Sequence, residues 1–85
     1  MKNEKSTMKN NVYVINEVLS DYTAGMVVIA AKDWEQCRAY FGEKFGYQYD
    51  YLLKQFDRAV ENGKYKLFPC STDQSGVLEY VFGGG

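Results

Sequence analysis

The chain has 85 residues, 46% of them hydrophobic and 16% aromatic, with a net charge of −1 and a sequence pI near 5.3. That length holds one domain, and that much apolar matter excludes a fully disordered chain. Basic and acidic residues are scattered among one another, so the chain lacks both the basic face that phosphate neutralisation demands and the acidic excess of a nucleic-acid mimic; no nucleic-acid partner is expected.

Residues 1–11 are polar and read as a disordered leader, with Met8 offering a second start. They lack the apolar centre of a signal peptide, and nowhere does the chain approach the roughly 20 apolar residues that span a bilayer. A cytoplasmic protein with no membrane partner is expected, and in that compartment Cys37 and Cys70 are expected to be reduced. The domain proper is expected over 12–82, followed by a glycine tail at 83–85.

Val12 to Leu19 is β-branched and aromatic and predicts a first strand. Ser20 to Gly25 has turn chemistry, and Met26 to Ala31 is an apolar run of strand length. Both faces of that run are apolar, which predicts an inner strand, and the short connection predicts an antiparallel hairpin. Asp33 is placed to cap a helix, with Gln36 completing a capping-box pattern. Trp34, Cys37, Phe41 and Phe45 recur at helical spacing, and Gly46 is a natural stop.

Asp50 can cap a second helix with Leu52, Leu53, Phe56, Ala59 and Val60 on its buried stripe, ended by Asn62-Gly63. Lys54, Asp57, Arg58 and Glu61 then form the wet face, where Lys54 and Arg58 can alternate with Asp50 and Asp57 as weak ion pairs. One kinked helix over 33–62 is the alternative. Residues 64–70 predict a third strand, which Pro69 confines to an edge position or a strand end, and residues 77–82 a fourth. The predicted fold is α+β: a four-stranded, mainly antiparallel sheet in ββααββ order with the helical segment on one face. An edge strand at 64–70 offers a route to a homodimer.

Catalytic signals are missing. The chain contains no histidine, which removes the commonest general base and metal ligand and the usual partner of a nucleophilic Ser or Cys. The two cysteines lie too far apart for a zinc knuckle, and no glycine-rich phosphate loop is present. No enzyme activity, metal or cofactor is expected.

The tyrosines are more suggestive. A domain this small cannot bury all eight of them with every hydroxyl satisfied, so several must reach the surface, where Tyr is enriched in interfaces. Tyr47, Tyr49 and Tyr51 cluster between the helices, with Tyr40 and Asp50 near them in sequence and Tyr22 on the first loop. These six residues are the predicted partner-binding set, and the expected function is a non-catalytic protein-binding module. In size, Tyr-rich composition and absence of enzyme motifs the chain resembles small phage-encoded anti-defence proteins, anti-CRISPR inhibitors among them. That resemblance implies inhibition of a bacterial defence protein by surface occlusion in an infected cell. Gly84 and Gly85, following a late strand, resemble the Gly-Gly end of ubiquitin and the sulfur-carrier proteins. The alternative this implies is a modifier whose terminal glycine is adenylated.

Overall fold

The computed structural model describes residues 9–20, 23–46 and 50–83. The β-branched first segment pairs as β1 (Asn10–Val18), taking in Asn10 and Asn11 of the expected leader, and the apolar run that follows is β2 (Gly25–Ala31). Two helices follow, α1 (Trp34–Phe41) and α2 (Asp50–Glu61), with a π-helical turn over Gly42–Gly46 after α1. The last strands are β3 (Tyr65–Thr72) and β4 (Gly76–Val81). The element order is the predicted ββααββ, and the helical segment is two helices.

Every strand pair is antiparallel and the spatial order is β3-β1-β2-β4. β2 is therefore an inner strand, as its sequence implies, and β3 an edge, one of the two placements Pro69 allows. β3 and β4, though consecutive, lie on opposite edges. The short connection between them crosses the ends of the inner strands: the Asn10 amide donates to the Gln74 carbonyl at 2.7 Å, and the Gln74 N–H donates to the Thr72 hydroxyl at 3.1 Å.

Local chemistry explains the helix ends. The Asp33 carboxylate accepts from the Gln36 N–H at 2.8 Å, and the Gln36 amide oxygen accepts from the Lys32 N–H at 2.9 Å. The capping box thus closes one residue earlier than its usual pattern. α2 ends in a Schellman motif, with the Gly63 N–H donating to the Val60 carbonyl and the Lys64 N–H to the Ala59 carbonyl. Gly63 sits at φ 73, the left-handed conformation that this motif requires.

Residues alternate between the two faces of the sheet. Tyr13, Ile15, Val27 and Ile29 face the helices and form the core with Cys37, Phe41, Phe45, Leu52, Phe56 and Ala59. Leu53 and Val60 complete the α2 stripe as partly buried residues. A register shift opposite Val28 and Ile29 changes the simple alternation expected of β4, so that Val77 pairs with Ile29 and joins Tyr80 on the helix side. The outer face carries Val12, Val14, Met26 and Val28, all half-buried, and Ala30, which is fully buried; the helices pack on the opposite face.

The expected ion pairs along α2 give way to one between helices. Asp57 receives both arms of Arg38 from α1, each at 2.8 Å. Packing α2 beside α1 brings a guanidinium fork within reach, and two parallel bonds outcompete a single ammonium one turn away. No helix is long and apolar enough to cross a membrane among the described residues.

Candidate protein-binding surface

The predicted set divides. Tyr22, Tyr47 and Tyr49 lie outside the described residues, as do Gly84 and Gly85. Tyr40 is half-buried and packs against the core from α1. Asp50 and Tyr51 are both exposed in the first turn of α2, Tyr51 at 56%.

A different aromatic group stands out where the π-helical turn meets the end of β4. Phe45, Tyr80 and Phe82 form a triangle with ring centroids 5.2, 5.8 and 5.7 Å apart and planes close to perpendicular, at 76°, 86° and 84°. These are edge-to-face contacts, the arrangement ring quadrupoles favour. Phe45 is buried and belongs to the core, whereas Tyr80 is 39% and Phe82 55% exposed. Lys44 holds its ammonium 5.2 Å from the Tyr80 ring centre and 5.9 Å from that of Phe45. Both distances fall within cation–π range.

The local structure explains why these side chains meet. Phe45 extends the helical stripe begun by Trp34, Cys37 and Phe41, and the π-helical turn carries it past the end of α1. Tyr80 and Phe82 are two residues apart on an extended segment and so share a face. The end of that segment is held down: the Gly83 N–H donates to the Leu19 carbonyl at 2.8 Å. Sequence reasoning sees each half, a helix stripe and a strand alternation. It misses their meeting because that depends on β4 lying outside β2.

Elsewhere the described surface offers little chemistry. An open depression of about 400 Å³ lies between the β1–β2 connection and α2, lined by Glu17, Ser20, Gln55, Arg58 and Asn62 among others. Gln55 spans its floor, accepting from the Ser20 N–H at 2.9 Å and donating to the Ser20 carbonyl at 3.1 Å. Cys37 is buried, and burial pushes its thiol up to about 12, so it stays protonated near neutral pH. Cys70 is exposed, and neither cysteine is in a disulfide. Among the described residues no group of three or more Cys, Asp or Glu side chains is placed to hold a metal ion. Comparison with known protein families, curated proteins and solved structures finds no match.

Proposed function

We propose that this chain is a non-catalytic protein-binding module whose partner docks on the Phe45–Tyr80–Phe82 corner. The observation that carries the reading is the exposure of two large aromatics held rigid by a buried third. Rings fixed before binding lose little conformational entropy on association, and Tyr and other large aromatics are typical interface anchors. The Lys44 ammonium beside them suits a partner that presents a carboxylate next to an apolar side chain. Asp50 and Tyr51 form a second exposed group, at the start of α2. The likeness to small phage anti-defence proteins makes a bacterial defence protein the first partner to test, with inhibition by occlusion of its surface.

The test is capture from host-cell lysate with the tagged chain, run beside a Tyr80→Ala/Phe82→Ala double variant and a Tyr47→Ala/Tyr49→Ala/Tyr51→Ala triple variant. A single stoichiometric protein retained by the parent is expected to weaken at least about thirtyfold with the double variant, the loss of a hot spot worth ~2 kcal/mol or more. Retention by a folded double variant, with loss in the triple variant, would move the site to the inter-helix tyrosines and overturn the docking corner.

A further inference from the structure

We infer that the outer face of the sheet is a self-complementary dimer interface, occupied by the same face of a second copy of this chain. This inference is independent of the aromatic corner, which lies on the helix side. The cross-strand registers arrange the outer face in rows. The middle row reads Lys66, Val14, Val28, Glu79 from the β3 edge to the β4 edge. The next row reads Phe68, Val12, Ala30, Gly76, with Ala30 already fully buried within the chain, and the row on the other side carries Asn16, Met26 and Val81. The face is thus apolar at its centre, with one cation on one edge strand and one anion on the other. Phe68 and Val81 are 47% and 53% exposed.

A second copy can meet this face about a two-fold axis lying between the sheets, and the axis direction decides the electrostatics. With the axis across the strands, β3 lies over β3 and Lys66 confronts Lys66, while Glu79 confronts Glu79. With the axis along the strands, β3 lies over β4. Lys66 of each copy then faces Glu79 of the other, Val14 faces Val28, and Phe68 stands over Gly76, a large side chain opposite the one residue with none. Packed sheets cross at roughly 30°, which shifts the edges by about one residue, within reach of Lys and Glu side chains. Inside one chain Lys66 and Glu79 stand on opposite edges about 14 Å apart, too far to pair. No ion pair is found for either among the described residues.

The edge route to a dimer is less favourable. β3 contains Pro69, and its ladder is interrupted between Val12 and Asn10. Four strands and three outward rows give a face of roughly 20 by 20 Å. Two such faces bury on the order of 1,000 Å², the lower end for a specific interface and the size class of weak, transient association.

The experiment is sedimentation equilibrium of the full chain from about 1 to several hundred micromolar, a range that covers weak association. The parent is expected to approach twice its 9.8 kDa mass as concentration rises. Lys66→Glu and Glu79→Lys, each placing two like-charge pairs in the interface, are expected to weaken association at least about tenfold. The combined reversal restores the opposed pairs and is expected to return association to within about threefold of the parent. Far-UV circular dichroism checks that each variant folds. A parent that stays monomeric throughout, or a dimer that the single reversals leave intact, would overturn the proposal, as would a combined reversal that fails to rescue.

Discussion

Arg38 and Asp57 form the one bidentate ion pair among the described residues, and it ties α1 to α2. Hydrogen bonding from Arg38 holds the Asp57 carboxyl below its ordinary 3.8; partial burial opposes this and the guanidinium charge adds to it. A lowered folded value means that the contribution is complete above the unfolded value and lost as pH falls through the folded one. Both side chains are about half exposed, so solvent screening limits the pair to ~0.2–1 kcal/mol. The Asp57→Asn variant is therefore expected to be less stable than the parent by that amount near neutral pH. As pH falls below the ordinary 3.8 and on through the lowered folded value, the difference should shrink toward zero as the parent carboxylate protonates. Urea midpoints across a pH series measure this. A difference that persists undiminished in acid would mean that packing, not charge, is lost. A neighbouring economy is seen at Asn11, whose amide oxygen accepts from the Cys70 N–H at 3.1 Å. Cys70 lies at φ 52 in an interrupted part of the ladder, and the Asn11 side chain stands in for the missing strand partner.

Elements meet where the sequence leaves room for backbone, and two glycines separate space from conformation. Gly25 opens β2, and a Cβ there would collide with the Val81 carbonyl oxygen and lie 2.7 Å from that of Val18. Three strands converge at this point, and none can withdraw without breaking the sheet. Gly63 has open space around it and only its positive φ to constrain it. Gly25→Ala is expected to cost ~3 kcal/mol or more through forced backbone displacement, and Gly63→Ala only ~1 kcal/mol through conformational strain. Thermal unfolding of the two variants compares them directly, and equal losses would refute the convergence. The elements themselves were legible because their signals are local: β-branched runs, the Asp33 cap, the Asn62-Gly63 stop. Strand order was not, since nothing in β3 or β4 states that their short connection crosses β1 and β2 instead of closing a hairpin. The two apolar faces of the 26–31 run did mark an inner strand, and β2 is flanked by β1 and β4.

At the scale of the whole molecule the aromatic side chains form one continuous path across the sheet. Tyr65 on the β3 edge meets Trp34 at 4.8 Å, and Trp34 meets Phe56 at 6.5 Å. Phe56 meets Phe41 at 4.9 Å, Phe41 meets Phe45 at 5.1 Å, and Phe45 reaches Tyr80 and Phe82 beside the opposite edge. A core joined in this way has no seam along which half of it could melt alone, so one cooperative transition is expected. Trp34 is the only tryptophan, and its emission reports the β3 end of the path. Phe45 lies at the other end, and truncating it to Ala is expected to cost ~3 kcal/mol or more. If the path is one cooperative unit, Phe45→Ala should shift the tryptophan transition in urea as far as it shifts the far-UV dichroism transition. The measurement belongs at low protein concentration, where self-association does not raise the midpoint. A dichroism curve that splits, with the Trp34 transition unmoved, would instead divide the molecule into two cores meeting at Phe56, and the docking corner would then stand on the weaker of them.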